Sequence, residues 1–100
     1  MAKVNHIVLF KFKPEVTPEE IGSLFNEVLD MTESISGIEN YSAGVNSSPE
    51  GMSHGYTHGL LMTFTDSAAR DAYLPHPEHE RIRNLLLPKV ETAAVFDYEV

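Results

Sequence analysis

Apolar and polar side chains alternate singly from Val4 to Lys13, with His6, Val8, Phe10 and Phe12 on one parity and Asn5, Ile7, Leu9 and Lys11 on the other. That is the period of a β-strand. Both parities are apolar in the middle of the run, so neither face of this strand is expected to lie open to water. The period then changes. Ile21, Leu24, Phe25, Val28, Leu29 and Ile35 recur at three- and four-residue spacings, which predicts one stripe of an amphipathic helix. Thr17-Pro18-Glu19-Glu20 ahead of the stripe is a capping box with proline at the first helical position, and Gly37 is expected to close the helix in a left-handed conformation. Ile38 to Asn46 reads as a weaker strand through Tyr41, Ala43 and Val45, and the polar stretch Ser47 to Gly55 reads as a loop.

Strict alternation returns from Thr57 to Thr65, where His58, Leu60, Met62 and Phe64 share one parity and Gly59, Leu61 and Thr63 the other. Thr65 and Asp66 offer capping oxygens to a short helix through Tyr73, and Pro75 stops it. Pro77 suits the first position of another helix, whose Ile82, Leu85 and Leu86 form its apolar stripe before Pro88. Thr92 to Val100 then alternates Ala94, Phe96 and Tyr98 against Ala93, Val95 and Asp97.

The order strand, helix, strand, strand, helices, strand is the split βαβ arrangement of an α+β, ferredoxin-like βαββαβ protomer, a four-stranded antiparallel-type sheet with helices on one face. Residues 1–100 form a single domain. In this reading the first and third strands lie side by side and parallel at the centre, which puts His6 and His58 at the same end of the sheet. Two helical layers cover only one sheet face. The apolar residues of the other parity, Ile7, Leu9 and Leu61, therefore need a second cover, and an identical subunit in an isologous homodimer is the simplest one.

Charge and composition narrow the partners. A formal net charge of -8 argues against nucleic acid or an anionic membrane surface, because both repel such a chain. The absence of cysteine removes disulfides, thiol nucleophiles and thiolate metal sites. Lys3 is followed only by a short mixed run containing His6, so no secretory leader is expected, and no apolar run approaches the length of a bilayer span. A cytoplasmic protein is the expectation.

The chemistry-bearing residues concentrate between Gly55 and Glu80, which hold Tyr73 and three of the five histidines. A neutral imidazole can take a carbon-bound proton and a phenol can donate to the enolate oxygen that forms, each contributing ~10²–10⁴-fold. Structural uses compete for the same side chains. His76, before Pro77, suits a helix cap, and His79 suits a structural hydrogen bond. His6 and His58, facing an apolar layer, also read as satisfied core histidines, Tyr73 as a core aromatic with its hydroxyl at the rim, and His54 as a solvated loop residue. His76 and His79 at a three-residue spacing would reach one ion, but no HExxH or cysteine pattern supports a metal site, and neither metal nor cofactor is expected.

The segments HIVLFKFK, GVNSSPEG, GYTHGLLMTF and DAYLPHPEH, which together span essentially the whole chain, closely resemble the stress-responsive A/B barrel domain family of the dimeric α+β barrel superfamily. The resemblance implies a ferredoxin-like protomer whose sheet packs face to face with that of a second copy to close a barrel. It does not imply one activity. Many bacterial members have no assigned reaction, some plant members are stress-induced stable oligomers, and one plant branch cyclises polyketide chains by an aldol-type condensation. In that branch a tyrosine before the HPxH segment and the second histidine of that segment act as acid and base, with histidines of the first and third strands nearby. Tyr73 and His79 match the former pair, and His6 and His58 the latter. Val8, Phe10, Leu24, Phe25, Val28 and Met62 would wall a pocket between sheet and helices for a small hydrophobic or aromatic carbonyl ligand, and these walls are not residue-for-residue matches to that branch. Two functions follow: a ligand-binding stress-response homodimer with no assignable reaction, or a cofactor-free cyclase, lyase or isomerase.

Overall fold

The alternation near the N-terminus produces β1 (Val4–Phe12), whose Val4, His6, Phe10 and Phe12 are buried beneath the helices. The structure is a computed structural model and describes residues 2–100. Both halves of the capping box form at the head of α1 (Pro18–Ser34): the Thr17 hydroxyl accepts from the Glu20 amide at 3.2 Å, and the Thr17 amide donates to the Glu20 carboxylate at 3.4 Å. Ile21, Val28 and Met31 turn inward, and Ile35 follows at the C-cap. Leu29, expected on this stripe, is 44% exposed instead. One residue past Val28 is a rotation of about 100°, enough to carry Leu29 to the solvent side, while Met31 rotates back beneath the helix.

Gly37 turns the chain at φ +93, where a Cβ would lie only 2.7 Å from that of Ala69. Glycine is thus required both by the left-handed backbone and by the close approach of the next helical layer. The chain continues through β2 (Ile38–Val45), a loop, β3 (His58–Phe64), α2 (Ser67–Tyr73), α3 (Pro77–Leu86) and β4 (Val90–Glu99). The loop is tied at its base, where Asn46 N–H donates to Thr57 O at 2.8 Å and Thr57 N–H to Phe10 O at 2.9 Å.

The sheet order is β2-β3-β1-β4, and every neighbouring pair is antiparallel. The expected adjacency of β1 and β3 is found, but their expected parallel direction is not. α1 returns the chain so that β2 runs with β1, and the following loop reverses it, so β3 must oppose β1. His6 therefore pairs with Met62, and His58 with Phe10. At about 3.3 Å per residue, this register separates the two histidines by more than a dozen ångströms along the sheet.

Val4, Val28, Met31, Met62 and Phe64, each no more than 1% exposed, form the centre of the core between sheet and helices. Among the described residues no helix crosses the other face, where Leu61, Ile7 and Phe96 form a row across β3, β1 and β4. Phe96 is 65% exposed there, beside Tyr98 and Leu9. Among the described residues no helix is long and apolar enough to cross a membrane.

Candidate functional site

A cavity of about 350 Å³ opens between α3 and the helix-facing side of the sheet. Three short-range features of the sequence aim side chains into it. Asp66 caps α2 by accepting from the Ala69 amide at 2.8 Å, and the helix ends on Tyr73. Leu74 and Pro75 redirect the chain. His76 then caps α3, its Nδ1 accepting from the Glu78 amide at 3.1 Å with Pro77 at the first helical position. This is the capping use weighed for His76. The break leaves Tyr73 and His79 on facing sides of a tight corner, their ring centroids 4.1 Å apart and their planes inclined by 33°.

Hydrogen bonds determine what each ring offers. A carbonyl only accepts, so the 2.8 Å contact of His79 Nδ1 with Leu74 O puts the proton on Nδ1 and a lone pair on Nε2. His6, on β1, is held at Nδ1 by Asp97 Oδ1 at 2.6 Å, and Asp97 Oδ2 accepts from Arg70 Nη1 at 2.8 Å. The His6 ring stands edge-on to Tyr73 at 5.8 Å and to Phe64 at 5.9 Å. Tyr73 as a residue is only 4% exposed, yet its hydroxyl makes no hydrogen bond within the described residues, nor do Nε2 of His6 and Nε2 of His79. Among the described residues no buried side-chain nitrogen or oxygen is sealed away without a partner, so these three atoms must reach open space. His6, Tyr73 and His79 all line the cavity, whose remaining wall is mostly apolar, including Val8, Phe10, Val28 and Met62.

Burial, reinforced by the Asp97 charge, pushes the Tyr73 phenol far above its ordinary value of 10.0, so it stays protonated and can donate. Burial also pushes His79 below the ordinary 6.5, against the opposing effect of its bond to Leu74, which keeps it neutral near neutrality. The cavity thus presents one firm donor beside a nitrogen lone pair, the pairing that proton exchange with a carbonyl compound requires.

Of the residues singled out from the sequence, His6, Val8, Phe10, Val28, Met62, Tyr73 and His79 come together here. His58, Leu24 and Phe25 do not. The antiparallel register carries His58 to the other end of the sheet, where its ring meets Phe12 at 5.3 Å and Phe25 at 6.0 Å, and its Nδ1 bonds Thr57 Oγ1 at 2.8 Å. There it lines a separate surface groove with Leu9, Val45, His54 and Tyr56. Phe25 packs on Phe10 and Phe12, and Leu24 faces a charged furrow between α1 and α3 beside Glu20, Arg81 and Lys89. Among the described residues no three His, Asp or Glu side chains are grouped to hold a metal ion.

Asp97 and Arg70 escaped the sequence reading. A signal existed for the first: Asp97 shares its parity with Ala93 and Val95, so a carboxylate occurs on a face that should be apolar, directly across from His6. Nothing local marks Arg70, since its partner lies 27 residues away.

A profile of the Stress responsive A/B Barrel Domain matches residues 4–100. The stress-response A/B barrel domain-containing protein HS1 of Arabidopsis thaliana is 30% identical over 96 residues, covering 96% of this chain and 88% of HS1. Olivetolic acid cyclase of Cannabis sativa is 25% identical over 95 residues, covering 95% and 94%. The crystal structure of a dimeric ferredoxin-like protein of unknown function from Jannaschia superposes with a TM-score of 0.87 at 29% identity, covering 98% of this chain and 99% of that one.

Proposed function

Because the chain belongs to the stress-responsive A/B barrel domain family, we propose that it works as a homodimer in which each protomer binds a small apolar carbonyl or hydroxyaromatic compound beneath α3. One observation carries this reading: three polar atoms without protein partners, on His6, Tyr73 and His79, open into an otherwise largely apolar cavity. Apolar walls with a few convergent polar groups are how proteins bind small molecules. The homodimer rests on the uncovered row of Leu61, Ile7 and Phe96, and on the description of the Jannaschia protein as dimeric.

A second reading is favoured by the contact between Tyr73 and His79 and by the relation to a cyclase. The two residues would act as an acid/base pair, the imidazole taking a proton from the carbon beside the ligand carbonyl and the phenol donating a hydrogen bond to the enolate oxygen. The binding reading is tested by calorimetric titration with 4-hydroxyacetophenone. The wild-type protein should bind it, and Tyr73→Phe and His79→Ala should each weaken binding about tenfold, one hydrogen bond's worth, with circular dichroism and dimer mass unchanged. Absence of binding, or wild-type affinity retained in both variants, would refute the assignment.

A further inference from the structure

The two imidazoles in the cavity are supported differently. His79 Nδ1 donates to a neutral carbonyl, that of Leu74, whereas His6 Nδ1 donates to a carboxylate, that of Asp97. A positive charge on the first ring would have only a dipole behind it, while a charge on the second would be met by an anion. Asp97 is itself held. Arg70 grips its second oxygen through Nη1 while Nε of the same guanidinium donates to Asp71 at 2.8 Å, so the fork is anchored on both sides. Arg70 and Tyr73 lie three residues apart on α2, so one helical face supplies both the clamp on the carboxylate and the phenol in the cavity. The side chains of Arg70 and Asp97 are 25% and 20% exposed, and that of His6 only 7%, so the clamp lies nearer the surface, behind the imidazole that lines the cavity.

We propose that His6 is the proton acceptor of this cavity and Arg70 its positioning residue, which makes the site selective for ligands bearing an acidic hydroxyl, a phenol or the enol of a 1,3-dicarbonyl compound. This rests on the ligand-binding reading of the cavity. On binding, the ligand O–H bond breaks and its electron pair stays on oxygen. The proton moves to His6 Nε2, and the new imidazolium is held through Nδ1–H by Asp97. Tyr73 donates its hydroxyl hydrogen to the ligand oxygen as charge develops there. No external oxidant, reductant or co-reactant enters. The charged or titratable groups around His6 are Asp97 on β4, Arg70 and Tyr73 on α2, and His79 on α3, and Arg83 on α3 lines the same cavity. Removing Arg70 frees Asp97 to swing toward water and leaves His6 without a fixed partner.

The test uses 4-nitrophenol, whose absorption reports its own ionisation, and 4-nitroanisole, its methyl ether with no proton to give. At a pH where free 4-nitrophenol is mostly protonated, the wild-type complex should show the phenolate band and should favour the phenol over the ether by about tenfold or more, as a charge-assisted contact does. Arg70→Gln and Asp97→Asn should abolish the band and bring the ratio close to unity, with the circular dichroism spectrum unchanged. Arg70→Lys should restore part of the band, and Arg81→Gln, outside the cavity, should leave it intact. A phenolate band that persists in Arg70→Gln and Asp97→Asn overturns the proposal. Nitrogen-15 spectra of the wild-type complex give an answer that does not depend on any variant folding. An imidazolium signature should appear on His6, and its appearance on His79, or on neither ring, also overturns the proposal. Failure of both probes to bind would instead sink the cavity reading itself, and this inference with it.

Discussion

Replacing Phe96 with serine should break the dimer while sparing the protomer. A phenylalanine presents roughly 150–250 Å² of side-chain surface, and in the isolated protomer 65% of Phe96 remains exposed. The area left for a partner to cover is therefore about 130 Å², which at about 25 cal/mol per Å² is worth ~3 kcal/mol per copy. An isologous interface counts each residue twice, so both copies together contribute ~6 kcal/mol, or about four decades in the dissociation constant. Even if the partner covers only half of that surface, the loss is about two decades. The same exposure means that truncation leaves little cavity within the protomer itself. Sedimentation equilibrium over a wide concentration range should show a wild-type dimer, a Phe96→Ser variant dissociating to folded monomers, and no change in Leu29→Ser. Leu29 is also a large exposed apolar residue, 44% accessible, but it lies on the solvent side of α1. Equal dissociation constants for wild type and Phe96→Ser, or equal weakening by Leu29→Ser, would show that the uncovered sheet face is not the interface.

Gly37→Ala should lower the melting temperature much more than Gly51→Ala. Both glycines have positive φ, but only at Gly37 would the new methyl meet another atom, Ala69 Cβ at 2.7 Å, whereas nothing lies within 4 Å of the one at Gly51. Strain alone costs ~1–2 kcal/mol and overpacking a further ~1–3 kcal/mol, so similar melting points would contradict the close packing of α2 on this turn. Acid should destabilise the fold through His79 and His58, both pushed below 6.5 chiefly by burial. With folded values depressed, the unfolded chain binds more protons, so their contribution is complete above about pH 6.5 and falls away as pH drops below it. Urea midpoints measured on either side of that pH should show the decline, with a shallower slope in His79→Gln; a midpoint that rises on acidification would reverse the sign of the argument.

Local patterns carried the secondary structure because each depends on neighbours a few residues apart. The capping box at Thr17 and Glu20, the Asp66 cap, and the corner at Pro75 and Pro77 are short-range hydrogen bonds and steric blocks, legible before any fold is known. The parity of β1 likewise assigned His6 to the core side and Ile7 to the other, and the DAYLPHPEH segment already held Tyr73 and His79 at the spacing that the corner turns into a 4.1 Å contact. The direction of β3 against β1 was a different kind of fact. It follows from the sense in which the chain returns through α1 and the loop before β3, and period-2 alternation is the same whichever way a strand runs. That single reversal carried His58 away from His6 and brought His6 opposite Asp97 across the β1–β4 pair instead. The Asp97–Arg70 contact depends on the same tertiary placement: a carboxylate on β4 and a guanidinium on α2, 27 residues apart, meet only because both elements pack over the same end of β1. The sequence by itself determined which groups were available and which face each would take. Only the assembled sheet and helices decided which of them touch, because contact across so many residues is set by topology and packing rather than by spacing along the chain.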